Sequence, residues 1–294
     1  MIEVRAPAKL NLGLEVLRRR EDGYHEIETC FVPLRLFDRL TLERAPAGRG
    51  IALETDVADL PTDRGNLVVR AAERACAALD LPADLTLRLE KRIPIAAGLG
   101  GGSSDAAATL LGLEALAKRA LARDARAKLA LELGADVPFF LDPRPALGRG
   151  VGEKLESLDG VPEMHWVLVA FPFPVATAWA YAEAARELTL PRDPSSIAAL
   201  LGPLGLLSSP RNDLEAASTR RHPEIREARR ALERVGALAT GMSGSGPTVF
   251  GRFEDERAAR SAAERVEVPA GARTIATSSP GSASGDWGWG VAKW

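Results

Sequence analysis

Pro94-Ile95-Ala96-Ala97-Gly98-Leu99-Gly100-Gly101-Gly102-Ser103-Ser104 runs directly into the helix-forming stretch Asp105-Ala106-Ala107-Ala108-Thr109-Leu110-Leu111. Each glycine costs conformational entropy unless the backbone must be bare for a close approach. Glycines that let amides converge, then two hydroxyls at the start of a helix, make a site for an anion such as a phosphate. Neither common phosphate fingerprint is present: there is no Gly-x-x-x-x-Gly-Lys-Ser/Thr, and Gly98, Gly100 and Ser103 miss the Gly-x-Gly-x-x-Gly spacing. On residue chemistry alone the segment is a nucleotide loop or a structural tight turn. Ser103 and Ser104 can cap the helix, ligate a metal or bond a phosphate.

Upstream of this loop, Leu85 to Glu90 alternates as a strand, and Leu67 to Leu79 reads as a helix with Asn66 as its amino-terminal cap. Ile2 to Arg5, Leu10 to Val16 and Arg35 to Glu43 have the period of strands, so the chain opens with an antiparallel sheet. Arg18 to Tyr24 is the polar turn between them. Downstream, Ala106 to Lys118 and Asp124 to Leu133 read as helices, the second closed by Gly134. Trp166 to Ala182 is apolar but contains Pro172 and Pro174, which makes it a buried strand, a turn and a helix, not a membrane span. Glu224 to Val235 is an amphipathic helix with Ile225, Ala228, Leu232 and Val235 on one face, and Asp255 to Val266 is a final helix. A second glycine loop, Thr240 to Pro247, lies between them. The alternation predicts an α+β protein of two domains, 1–155 and 156–294, with the boundary in the glycine- and charge-rich stretch 148–160.

Composition narrows the class. The 294 residues carry 38 basic and 40 acidic side chains, a net charge of −2, so no bulk positive field recruits nucleic acid or a membrane surface. Cys30 and Cys76 are too few for a disulfide framework and lack metal-ligand spacing, and the three histidines are not spaced as ligands. The start lacks a secretory signal, and a cytoplasmic protein is expected. The tail from Ser278, with Trp287, Trp289 and Trp294, is expected to form an apolar clasp on the second domain.

The loop from Pro94 to Ser104 resembles the phosphate loop of the GHMP kinases. So do Ala6-Pro7-Ala8-Lys9-Leu10-Asn11-Leu12, Asp22-Gly23-Tyr24-His25, Leu133-Gly134-Ala135-Asp136-Val137-Pro138-Phe139, Asn212-Asp213-Leu214 and Met242-Ser243-Gly244-Ser245-Gly246-Pro247, in order over nearly the whole chain. The resemblance implies a ribosomal-protein-S5-like N-terminal domain and a ferredoxin-like C-terminal α/β sandwich. It further implies transfer of the γ-phosphoryl group of ATP, with Mg²⁺, to a hydroxyl of the methylerythritol moiety of a cytidine diphosphate substrate. Phosphoryl transfer is mostly positioning and charge stabilisation, and these residue types suit it. Asp136 is the expected base and Lys9 the cation that steadies it, although an aspartate in such a turn is otherwise a helix cap and a lone lysine a surface residue.

Pro94, Ile95, Ala96, Ala97, Gly98, Leu99, Gly100, Gly101, Gly102, Ser103 and Ser104 are expected to hold ATP, with Asn66 at the adenine. Asn11, Tyr24, His25 and Tyr181 are expected at the substrate, Tyr181 as a second stacking aromatic, with core packing of its helix the alternative. For Mg²⁺, Ser104 and water are the expected ligands, Asp105 being the acidic residue beside the loop. Ala96-Ala97 stand where some relatives have more glycine, which stiffens the first half of the loop. A monomer or homodimer is expected. Two rivals are another GHMP kinase, acting on homoserine or mevalonate, and a non-catalytic ligand sensor. The pairing of Asp22-Gly23-Tyr24-His25 with Gly134-Ala135-Asp136 opposes the first, and the presence of both Lys9 and Asp136 opposes the second.

Overall fold

The computed structural model describes residues 1–187, 197, 210–285 and 287–291. Strands β1 (Ile2–Arg19) and β2 (His25–Arg44) pair antiparallel from Ile2↔Leu42 to Arg19↔His25. The two short amino-terminal strands expected from the alternation are thus one. Pro7, which cannot donate to a ladder, sits at a register shift, where a bulge tolerates it. Exposed pairs, Arg18 with Glu26 and Arg20 with Asp22, dress the turn between the strands.

β3 (Ile51–Thr55) runs parallel to β4 (Leu85–Glu90), which is antiparallel to β2. Residues 146–157 form the hairpin β5 (Ala146–Gly150) and β6 (Lys154–Ser157), attached to the first half of β2. Helices α1 (Leu67–Leu79), α2 (Gly101–Ala117) and α3 (Arg123–Leu133) cover this sheet through a core that includes Leu40, Leu42, Leu87, Ala72 and Leu110. Asn66 caps α1 as expected, its side chain accepting from Val68 N at 3.0 Å. α2 is alanine-rich because it is hemmed in: a Cβ on Gly112 would lie 2.5 Å from Leu42.

β7 (Met164–Ala170), β8 (Ala239–Met242), β9 (Val249–Phe253) and β10 (Arg273–Ser279) form a second, antiparallel sheet in the order β10-β7-β9-β8. With α4 (Thr177–Glu187), α5 (Glu215–Arg221), α6 (Glu224–Arg234) and α7 (Glu256–Arg265), this is the expected ferredoxin-like sandwich. A further core joins the sheets: Leu10, Leu12, Val32 and Leu34 from β1 and β2 meet Trp166, Leu168 and Phe250. Burial of each such side chain stabilises by roughly 1.5–3 kcal/mol. The Trp166 indole stays satisfied, donating to Ser279 Oγ at 3.0 Å.

The tail corrects one expectation. β11 (Gly290–Val291) pairs with Val4 and Arg5 of β1, and the Trp287 ring packs on Phe37 at 5.8 Å, so the clasp closes on the first sheet rather than on the second domain. The edge of β1 there has backbone groups to pair, and Phe37 offers apolar area. Trp294 lies outside the described residues. Cys30 and Cys76 are buried free thiols.

Candidate active site

α2 begins earlier than its alanines suggest, and neither serine caps it. Gly100, at φ +71°, is the N-cap and offers no side-chain hydrogen bond, while Ser103 and Ser104 lie inside the first turn. The first bond of the helix runs from Ser104 N to Gly100 O at 2.9 Å, so the amides of Gly101, Gly102 and Ser103 precede it and have no partner within the helix. A hydroxyl cap would have occupied these donors; glycine leaves them bare at the positive end of the helix. Ahead of them, Ala96, Gly98 and Gly100 all have positive φ, at 53°, 77° and 71°. Left-handed residues at alternate positions turn successive amides into one concavity. Ala96 bears roughly 1–2 kcal/mol of strain in that conformation, which glycine would not.

The second glycine loop buttresses the first. A Cβ on Gly98 would stand 2.3 Å from the carbonyl oxygen of Ser243, and Ser243 Oγ donates to Gly98 O at 2.9 Å. Thr248 N reaches Ala97 O at 3.3 Å. Asn212 fixes the second loop by donating to the carbonyls of Met242 and Gly244, each at 2.8 Å, and Asp213 accepts from Val16 N at 2.9 Å. The Asn212-Asp213-Leu214 motif therefore ties this loop to β1.

Between the loops lies Lys9, held against the first by Lys9 N to Leu99 O at 2.9 Å. It is 3% exposed, and its ammonium donates to Asn11 Oδ1 and to Gly98 O at 3.1 Å, and pairs with Asp136 Oδ2 at 3.6 Å. Burial lowers its pKa, and the Asp136 charge pulls it back up. Asp136 stands at the N-cap position of a 3-10 turn, Val137–Leu141, with no capping hydrogen bond, so the aspartate is not a helix cap. Its side chain is 35% exposed, open to a ligand on one side and to Lys9 on the other. Asn11 is buried and occupied at both ends, by Lys9 and by Thr29 Oγ1 at 2.8 Å. That arrangement orients the lysine.

One cleft of about 1690 Å³ connects all of this. Asn66, Leu67, the loop from Pro94 to Ser103, Lys9, Asn11, Asp136, Tyr24, His25 and Tyr181 all line it. Ser104, next along the loop, is buried, its Oγ without a hydrogen-bond partner. Ile95 is half exposed, as an apolar wall. His25 and Tyr181 stack at 5.4 Å with 15° between their planes, while Tyr24 is exposed. Burial, and then the Arg19 charge, hold the His25 imidazole below its usual pKa, so it is neutral near pH 7. Its Nε2 is buried without a partner. Burial and the Asp136 charge push the Tyr181 phenol upward, keeping it protonated.

Lys91 and Asp38 were not singled out from sequence. Lys91 Nζ pairs with Asp38 Oδ2 and with Asp105 Oδ2 at 2.7 Å, and all three side chains are buried. Burial pushes the Asp105 carboxyl up to about 7, Lys91 pulling it down and the Asp38 charge adding to the rise. A signal existed: Asp38 shares strand parity with buried Leu40 and Leu42, and a carboxylate on a core-facing row requires a partner. Among the described residues no group of three or more His, Cys, Asp or Glu could hold a metal ion.

This fold, with an uncapped helix terminus facing a lysine-aspartate pair, is that of a small-molecule kinase. Family models agree: the GHMP kinases N terminal domain matches residues 66–142 and the GHMP kinases C terminal domain residues 183–269. The chain belongs to the GHMP kinases. Within them it falls with the 4-diphosphocytidyl-2-C-methyl-D-erythritol kinases. That of Syntrophotalea carbinolica is 40% identical over 272 residues, 92% of this chain and 96% of that protein. That of Geobacter sulfurreducens is 42% identical over 277 residues, 91% and 95% of the two chains. A crystal structure of 4-(cytidine 5'-diphospho)-2C-methyl-D-erythritol kinase matches with a TM-score of 0.79 at 41% identity, over 95% of this chain and 99% of the other. The mevalonate kinase of L. major, with a TM-score of 0.71 at 14% identity over 96% and 97% of the chains, shares the fold.

Proposed function

We propose that the cleft transfers the γ-phosphoryl group of ATP to the 2-hydroxyl of 4-diphosphocytidyl-2-C-methyl-D-erythritol, a step of the non-mevalonate route to isoprenoid precursors. The observation that carries this is the Lys9–Asp136 pair, 3.6 Å apart, in one cleft with a bare helix terminus and a stacked pair of aromatic rings. A nucleotide with its phosphates on the amides of Gly101 to Ser103 presents its γ-phosphorus to that pair. The cytidine base, flat and edged with donors and acceptors, suits Tyr24, Tyr181 and the unpartnered Nε2 of His25.

In the reaction, the substrate hydroxyl oxygen bonds to the γ-phosphorus, the bond to the β–γ bridging oxygen breaks, and ADP leaves. Asp136 takes the hydroxyl proton. Lys9, already directed by Asn11 and Gly98 O, pairs with Asp136 and offsets charge on the transferring group. Mg²⁺, bound with ATP, would supply neutralisation of the phosphate charge. Such an ion is carried largely by phosphates and water; Ser104 Oγ, buried and unpartnered, is the protein oxygen in the loop that fits it.

The test is ADP release with an acceptor panel. Turnover with the cytidine diphosphate substrate, and none with homoserine or mevalonate, is expected. Turnover with either of the latter in preference would overturn the assignment.

A further inference from the structure

We infer that Lys91 is a positioning residue for the nucleotide loop, acting through Asp38 and Asp105 as a staple across the two ends of that loop. The inference rests on the reading that residues 94–104 hold ATP. Asp38 Oδ1 accepts from Arg92 N at 2.6 Å and Ile93 N at 2.8 Å, the two amides just before Pro94. Its other oxygen takes the Lys91 ammonium. The same ammonium donates at 2.7 Å to Asp105, the residue just after Ser104. One amine thus joins the start of the loop, through β2, to its end, through α2. Asp56 Oδ1 accepts from Lys91 N at 2.9 Å and fixes the base of the lysine itself.

The geometry leaves little slack. Lys91 Nζ lies 3.3 Å from where a Cβ of Gly101 would be, directly behind the first bare amides of α2. It also borders the cleft, as does Asp105, whose Oδ1 is buried without a partner. A loop with strain at Ala96 and glycines at 98 and 100–102 has many unbound conformations to lose, and a staple across its ends removes that loss from the binding step. The cluster as drawn holds one cation and two carboxylates, so its formal charge does not itself attract a nucleotide. Its contribution is geometric.

Charge and geometry are separable by experiment. Lys91→Met is expected to weaken MgATP binding about tenfold or more by calorimetry, with kcat and the KM of the cytidine substrate within about twofold of wild type. That variant also leaves two buried carboxylates uncompensated. Lys91→Met/Asp105→Asn restores the wild-type formal charge of the cluster but not the staple, and should remain as weak for MgATP. The double variant also decides the matter should the single one fail to fold. A double variant that binds MgATP like wild type would overturn the inference alone, as would one whose loss falls equally on the cytidine substrate. Wild-type protein that binds no MgATP would overturn the functional reading beneath it.

Discussion

Lys9 has a complete set of partners, with Asn11 Oδ1, Gly98 O and Asp136 around one ammonium. Because burial outweighs those partners, its proton is held less tightly than at the ordinary 10.5. Its charge offsets that of the transferring phosphoryl group, so kcat should fall as pH rises through the lowered lysine value. The alkaline limb is therefore expected below that of an exposed lysine, and Lys9→Arg should remove the limb up to about pH 12, since guanidinium keeps its proton. A limb at the same pH in both proteins would refute the assignment. Lys9 and Asp136 lie 127 positions apart in sequence, and no spacing rule links them; the resemblance supplied the pair, and the fold supplied the distance. The occupied carboxamide of Asn11 was not legible, because its neighbour Thr29 is set by strand register, which a period-two pattern leaves open.

At the scale of elements, α1, α3, α6 and α7 lie within a few residues of their expected bounds, since caps such as Asn66 and Asp255 and apolar stripes are local signals. The start of α2 was not legible from propensity. Gly101 and Gly102 are poor helix formers, yet they make the first turn, where a Cβ at 101 would press on Ile93 at 3.1 Å and where bare amides are what the turn presents. The contact between the two glycine loops is similarly invisible in one dimension. It yields a prediction: Gly98→Ala drives a Cβ to 2.3 Å from a backbone oxygen at a residue with φ +77°, where even an unhindered side chain costs roughly 1–2 kcal/mol. MgATP affinity and Tm should both fall. An unchanged dissociation constant would show that the loops do not need each other.

Across the whole molecule, the α+β class was readable from element order and the ferredoxin-like sheet followed from the resemblance. The joining core was not. β1 is buried almost continuously from Ala6 to Leu17, so alternation could not reveal that its middle, from Ala8 to Leu12, packs with Trp166 and Phe250 of the other sheet. The tail misled for the same reason: a tryptophan cluster declares that it will pack, not against what. Since Trp287 is 8% exposed and rests on Phe37, far in sequence from the loops, Trp287→Ala should lower stability by about 3 kcal/mol while leaving both KM values unchanged, as thermal unfolding and steady-state kinetics would check. A shift in either KM would mean that the clasp shapes the cleft. Dependence of γ-phosphoryl transfer on Asp136 beside Lys9 is read from single-turnover transfer of the label from γ-labelled ATP to the cytidine diphosphate substrate. Wild type should move the label onto the substrate, and Asp136→Asn should do so about 10²–10⁴ times more slowly while binding MgATP with unchanged affinity. Transfer by Asp136→Asn at the wild-type rate would exclude Asp136 as the base.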